Sequence, residues 1–210
     1  MAKEVRTAWW WVRHARVIAN RGRLYGASDP PAELDDGDRL AALAAALPAD
    51  AVWLTSALRR ARDTASAILA RGLAGAAVAV EPAFAEQSFG RWQGLTYEQV
   101  ARLADKPGHR FWYTTADHAP PEGESFVAVM ARVAAAIDRH TRAHAGRDVV
   151  VVAHGGPIRA AIAHALGLDA DAALAFVTDN LSLTRLDHVA SEAPGPGWQV
   201  QFINRIAGSR

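Results

Sequence analysis

Apolar residues fall along the chain in two periods. Residues 7–12 form a continuous β-prone run without polar alternation, which predicts a strand buried on both faces, and the run stops abruptly at Arg13-His14. Residues 149–152 form a second such run, entirely β-branched, followed by Ala153-His154-Gly155-Gly156-Pro157. Shorter runs at 51–54, 77–80, 182–186 and 198–203 read as further strands, the last two separated by a Pro/Gly-rich turn over 194–197. Helices are predicted over 38–47, 58–70, 96–103 and 126–143, and from Pro157, well placed in a first helical turn, to about Leu166. In 126–143 the spacing puts Val127, Met130, Val133, Ala134 and Ile137 on one face. Two stretches lack periodicity: 20–36, carrying Gly22, Gly26, Pro30 and Pro31, and 106–125, rich in proline, histidine and aromatics. Loops of that length are uncommon in a compact domain unless they line a site, so the first is a functional suspect and the second is expected to cover the site. Strands alternating with helices make an α/β fold with a largely parallel central sheet and helices on either side, a three-layer α/β/α sandwich.

Composition narrows the chemistry. The chain has 210 residues, half of them apolar, enough for one sizeable core, so residues 1–210 are read as a single domain. Lysine and arginine number 23 against 22 aspartates and glutamates, a net charge of +1. No global field points to nucleic acid or a membrane surface as partner, and an anionic ligand must be caught locally. The absence of cysteine excludes disulfides, thiolate metal sites and thiol nucleophiles together. The opening Met-Ala-Lys-Glu-Val-Arg does not read as a signal peptide, and apolar stretches such as 41–47 and 149–153 fall far short of the roughly 20 residues a membrane helix needs. The expectation is a soluble, cytoplasmic protein.

Two strands therefore end in histidine, at His14 and His154. In open α/β sheets ligands bind beyond the carboxyl ends of the strands, where both histidines could meet. His154 also precedes a helix whose first free N–H groups, with Gly155 and Gly156 allowing close backbone approach, form a ready site for an anion such as phosphate. Arg59, Arg60 and Arg62 stand near the start of the 58–70 helix, where cations oppose the macrodipole unless an anion lies nearby. Each feature also has a plain structural reading, as a strand end, a solvated helix face or, for Glu86, a surface acid beside a turn.

Together, in order and across nearly the whole chain, these segments resemble the histidine phosphatase superfamily, also called phosphoglycerate mutase-like. Arg13-His14, with Asn20 further on, resembles that family's opening motif, and the likeness continues through Gly22-Arg23 and Gly26 to Asp29-Pro30. Residues 56–65, Ser-Ala-Leu-Arg-Arg-Ala-Arg-Asp-Thr-Ala, are similar to the segment that selects Arg60 as the phosphate ligand. Glu86, with Phe89-Gly90 and Trp92-Gln93-Gly94 after it, looks like the acid motif; Pro121, Gly123, Glu124 and Ser125 look like the Pro-x-Gly-Glu-Ser segment, and His154-Gly155 like the second histidine motif. The resemblance implies His14, Glu86 and His154 as catalytic residues, Arg13, Asn20, Arg60 and Gly155 as substrate-binding residues, and neither metal nor cofactor. Ala15, Arg16 and Val17 depart from the family's Gly-Glu-Thr. A methyl on Ala15 excludes easy positive φ and crowds the pocket rim, and Arg16 adds a cation near His14.

The implied reaction is hydrolysis of a small phosphate ester through a phosphohistidine on His14. Arg13, Arg60 and His154 compensate charge on the equatorial oxygens, and Glu86 donates a proton to the leaving alkoxide and then activates water, a task suited to partial burial near Phe89 and Trp92. Asn20 and Ser56 are candidate phosphate or supporting contacts, Arg16 and Arg23 candidates for a second anionic or polar group. Phe111, Trp112 and Tyr113 either stack on an organic leaving group or plug the cover segment down; His109 and His118 read as surface residues. The chain resembles the short bacterial phosphatases of the superfamily, among them α-ribazole phosphatases, and sugar phosphates stay open as substrates. The alternatives are a phosphoglycerate-type mutase, which usually carries a longer insertion than 96–120, a catalytically silent phosphate-binding regulatory module, and a metal hydrolase using His14, His154 and Glu86 as ligands.

Overall fold

The computed structural model describes residues 4–18, 22–73, 75–103, 108–190 and 197–208. In chain order the elements are β1 (Val5–Arg13), α1 (Gly37–Ala46), β2 (Val52–Thr55), α2 (Arg59–Leu69), β3 (Val78–Val80), α3 (Tyr97–Leu103), α4 (Phe126–Ala143), β4 (Asp148–Ala153), α5 (Gly155–Leu166), α6 (Ala170–Leu174), β5 (Ser182–Ala190) and β6 (Trp198–Ile206). The sheet order is β3-β2-β4-β1-β5-β6. Its first four strands are mutually parallel, as expected of strands joined through helices. β5 and β6 run antiparallel to their neighbours, so the sheet is mixed at that end.

Because successive side chains alternate faces, the two apolar runs feed two cores at once. Trp9, Trp11, Val149, Val151 and Ala153 face α4, α5 and α6, while Val12, Val150 and Val152 face α1 and α2. This produces the three-layer arrangement and explains why neither run alternates with polar residues. Trp9 and Trp11 stack at 5.6 Å, and the ring of Phe84 meets their edges at 6.3 and 5.0 Å. The indole N–H of Trp9 donates to Thr141 Oγ1 at 3.1 Å, so the polar end of this buried ring is satisfied.

Helix starts follow the local chemistry. Asp36, Ser125 and Asp169 cap α1, α4 and α6 with side-chain oxygens. α2 has no cap of its own; Asp29 from the long loop accepts its first N–H, that of Arg59, at 2.6 Å, supplying the anion that the arginines near that N-terminus require. In α4 the buried face is Phe126, Val129, Val133, Ala136 and Ile137, and Val127 is exposed, so the stripe is rotated by about one residue from the predicted one. Apolar residues are dense enough there to support either stripe, and the bulky Phe126 takes the inward position. The short helix α6 and the 3-10 turns Pro82–Phe84 and Gly90–Trp92 are too brief to leave a periodic signal.

Among the described residues no helix is long and apolar enough to cross a membrane. Phe84→Ala, which removes the ring wedged against both tryptophans, is expected to cost about 3–5 kcal/mol of stability, read as a lower urea midpoint at unchanged m-value.

Candidate active site

Register decides the first contact. β1 and β4 pair so that Val12 lies opposite Val152 and Arg13 opposite Ala153, which brings the next residue of each strand, His14 and His154, side by side. Their ring centroids are 4.9 Å apart and both side chains are buried. His14 Nδ1 lies 2.6 Å from the Ala15 carbonyl, a contact that requires the proton on Nδ1 and leaves the lone pair on Nε2, where Arg60 Nε donates to it at 3.3 Å. His154 Nε2 shares a 2.7 Å hydrogen bond with Ser56 Oγ, which also accepts the Leu58 N–H at 3.3 Å. Ser56 thus orients the second histidine.

Burial, reinforced by the Arg60 and Arg13 cations, holds His14 well below the usual histidine range, against a smaller opposing effect of its bond to Ala15. His154 is held down by burial and then by His14, Arg60 and Arg13. Both rings are therefore neutral at pH 7. The Arg60 guanidinium is itself buried: its terminal nitrogens donate to the carbonyls of Ser28 and Gly26 at 2.6 and 2.7 Å, and it lies 5.0 Å over the Tyr25 ring. Arg59 and Arg62 from the same cluster point to solvent, Arg59 pairing with Asp63 at 3.0 Å.

A segment distant in sequence, between α6 and β5, clamps the end of β1. Leu181 N–H donates to the Arg13 carbonyl at 3.0 Å, Asn180 Nδ2 to the His14 carbonyl at 2.8 Å, and the Arg13 side chain to the Thr178 carbonyl. Three buried polar atoms at this end of the sheet have no hydrogen-bond partner among the described residues: Arg13 Nε, His154 Nδ1 and Thr178 Oγ1. Buried polar atoms are rarely left so, and their clustering marks a place for a ligand rich in oxygen.

Glu86 completes the constellation from the opposite side. Its Oε1 accepts the N–H groups of Gly156 at 3.1 Å and Gln87 at 3.0 Å, so the carboxylate sits on the N-terminus of α5. A Cβ on Gly156 would come within 2.4 Å of that oxygen, which is why glycine stands there. The segment 121–125 holds the acid in place. Glu124 accepts from Arg132 at 2.8 and 3.0 Å and from Ser88 N–H at 3.0 Å, its carbonyl accepts from Gln87 at 2.8 Å, and Arg132 also reaches the Glu86 carbonyl at 3.4 Å. Phe89 shares a cleft wall with Glu86; Trp92 does not, packing instead with Leu24 and Val100.

Arg13, Glu86 and Gly155 line a cleft of about 360 Å³ together with Arg23, Tyr25, Tyr97, Phe111, Trp112, Tyr113 and Arg159 among others. His14, His154, Arg13, Arg60, Glu86 and Gly155 thus converge; Asn20 lies outside the described residues. Arg16 does not approach the cleft, contrary to its proximity in sequence: it is turned to Glu33, 3.6 Å away, beside Asp35 and Asp36. Ala15 is not among the residues with positive φ, and its methyl is buried in the α1/α2 core, so alanine costs nothing in the place of the usual glycine. Trp112 and Tyr113 are packed down against Phe89 and Phe126, whereas Phe111 is exposed at the cleft. His118 is half-buried and stacked on Trp92 at 5.6 Å, so it is not simply a surface residue. Tyr25, Arg159, Thr178 and Asn180 escaped the sequence reading. Arg159 alone left a trace, one helical turn beyond Gly155 on the same face. Among the described residues no three histidines or carboxylates converge as a metal cluster.

The family model of the histidine phosphatase superfamily (branch 1) matches residues 9–201. A bifunctional protein of Mycobacterium tuberculosis is 34% identical over 198 residues, covering 92% of this chain and 52% of that protein. The chain thus spans about half the length of the first curated relatives it matches. The adenosylcobalamin/α-ribazole phosphatase of Escherichia coli is 29% identical over 184 residues, 85% of this chain and 88% of its own. The native structure of mycobacterial glucosyl-3-phosphoglycerate phosphatase superposes with a TM-score of 0.78 at 30% identity, covering 97% of this chain and 100% of that one.

Two buried neutral histidines make stability depend on pH. Below their ordinary value of 6.5 the unfolded chain takes up protons that the folded chain does not, so stability falls as pH falls through that value. Denaturant midpoints measured from about pH 7.5 to 5 should decline, and His14→Asn and His154→Asn should each flatten the decline; parallel slopes would contradict the assignment.

Proposed function

The chain belongs to the histidine phosphatase superfamily, branch 1, and from that membership we propose that it is a metal-independent phosphomonoesterase working through a phosphohistidine on His14. The observation that carries this reading is a buried, neutral His14 with its lone pair on Nε2 against the guanidinium of Arg60, next in the chain to Arg13, which lines a cleft together with the carboxylate of Glu86.

Phosphoryl transfer requires an in-line nucleophile and compensation of charge on the equatorial oxygens, and little other covalent work from the protein. In the first step Nε2 of His14 attacks phosphorus as the bond from phosphorus to the ester oxygen breaks, and Glu86 gives its proton to the leaving oxygen. Arg60 Nε, which faces Nε2, moves from the ring nitrogen to an equatorial oxygen, joined by Arg13 and by the unpartnered Nδ1 of His154. In the second step Glu86 takes a proton from water, the oxygen of water attacks phosphorus, and the bond to Nε2 breaks, releasing phosphate and regenerating neutral His14. Asn20 is proposed as a further phosphate contact. The relatives' names direct the choice of substrates: glucosyl-3-phosphoglycerate and α-ribazole phosphate head the esters to be assayed.

Turnover of p-nitrophenyl phosphate and of these esters is expected to survive EDTA and to vanish in His14→Ala. Rapid quenching in alkali should trap a phosphoprotein that is stable to base and labile to acid. Glu86→Gln should lose more activity on alkyl than on aryl esters, by about 10²-fold or more, because an aryl oxide leaves without a proton. Wild-type inactivity across the panel with intact phosphate binding would instead favour a silent binding module.

A further inference from the structure

We propose that the leaving-group side of the cleft reads a second anionic group on the substrate, a carboxylate or a second phosphoryl, through the guanidinium of Arg159, with Arg23 assisting at the mouth. This inference rests on the phosphomonoesterase reading and adds a substrate class to it: phosphate esters whose alcohol portion carries its own negative charge.

Arg132 is paired with Glu124, Arg139 with Glu81, and Arg6 and Arg185 with Asp187. Taking a guanidinium out of water is costly unless an anion or several acceptors meet it; Arg139 and Arg6 stay more than half exposed, while the more deeply set Arg132 and Arg185, with carboxylates, and Arg60, with two carbonyls, obey that rule. Arg159 does not. It is partly buried on the first turns of α5, its Nε donates to the Phe176 carbonyl at 2.8 Å, and its face lies 4.9 Å over the Trp112 ring. No carboxylate lies within ion-pair distance of it among the described residues, and its two terminal nitrogens donate to no protein acceptor there. The planar fork that best recognises a carboxylate or phosphate is left facing the cleft.

Position separates Arg159 from the phosphoryl subsite. Arg13 and Arg60 both lie close enough to the histidines to depress their proton affinity, and Arg159 is not among the groups that do so. Its charged neighbours are Glu86 and Arg13, and the neutral phenol of Tyr113 lies near it. One terminal nitrogen sits 2.9 Å from where a Cβ on Gly155 would be, and a carboxylate oxygen of Glu86 lies 3.8 Å from the same point. Arg159 thus stands beside the acid proposed to meet the leaving oxygen, on the side toward Trp112 and Tyr113. Arg23, exposed and bonded to the Gly94 carbonyl at 2.7 Å, adds a second cation to the same cleft. Among the described residues Glu86 is the single acid in its lining, against Arg13, Arg23 and Arg159, so the leaving group enters a field of positive sign.

The test compares phenyl phosphate with 4-carboxyphenyl phosphate and 1,4-phenylene bisphosphate, and ethyl phosphate with phosphoglycolate, using wild type, Arg159→Gln, Arg159→Lys and Arg23→Gln. Wild type should prefer the charged member of a set by about ten- to hundredfold in kcat/KM, and whether the carboxylate or the bisphosphate leads tells which anion is read. Arg159→Gln should erase the preference chiefly through KM, lowering kcat/KM for the charged esters far more than for the neutral ones, with inhibition by inorganic phosphate retained. Arg159→Lys should keep part of it, and Arg23→Gln, at an exposed position, should weaken it without risk to folding. A wild type indifferent to the second charge overturns the inference. So does an Arg159→Gln variant that loses neutral esters and phosphate inhibition in the same proportion, since Arg159 would then belong to the phosphoryl subsite. If wild type hydrolyses no member at all, the phosphomonoesterase reading falls first and this inference with it.

Discussion

The parallel pairing of β1 with β4 is the constraint on which the rest of the site depends. One register places Arg13 opposite Ala153 and so sets His14 against His154. A slip of one residue would turn every side chain of β1 to the other face, exchanging Trp9 and Trp11 with Trp10 and Val12. The register is therefore held by burial on both sides: Trp9 and Trp11 fit only where Phe84, α4 and α5 receive them. The chemistry at the strand ends is positioned by a core several residues away that takes no part in it.

Around that pair the fold concentrates groups that are expensive to bury. Two neutral imidazoles, the guanidinium of Arg60 and the unpartnered atoms of Arg13 and Thr178 lie within one end of the sheet. Backbone carbonyls meet part of the cost. Ala15 accepts from His14, Gly26 and Ser28 from Arg60, and Thr178 from Arg13, so the loops that donate these carbonyls are pinned by the charges they satisfy. Electrostatic strain and loop order thus have one source. On the proposed function, an oxygen-rich anion would relieve the first without disturbing the second, a preorganised arrangement in which little need move when charge develops.

The acid is held by a different principle. Glu86 rests on the amide groups of Gly156 and Gln87, and its backbone is tied through Arg132 and Glu124 to α4. Gly90 and Gly123 let the two loops close on each other: a Cβ on Gly90 would fall 2.1 Å from the Pro121 carbonyl. The Pro-x-Gly-Glu-Ser segment therefore acts as a brace that fixes where the carboxylate stands, away from the cleft itself. Across the cleft the aromatic wall divides its labour, Trp112 and Tyr113 anchoring the cover segment and Phe111 left at the opening.

The unbroken apolar runs of β1 and β4 announced buried strands, and their abrupt ends at His14 and His154 announced where polar chemistry begins, because a strand flanked by helices tolerates no polar residue until it leaves the sheet. Ordered motifs likewise singled out Arg60 among three arginines and Glu86 among the acids. Local sequence could not say that Arg16, two residues from His14, turns away to Glu33, since strand exit directions are set by packing. Nor could it choose between the stripes of α4, both of them apolar enough to be buried. Arg159, Thr178, Asn180 and Tyr25 join the site from segments distant along the chain, and what they do depends on which neighbours the closed sheet leaves without partners. The types of residue needed for the chemistry were written in the sequence. Which charges are paired, and which remain to meet a ligand, was decided only when the layers packed, because desolvation acts on neighbours in space.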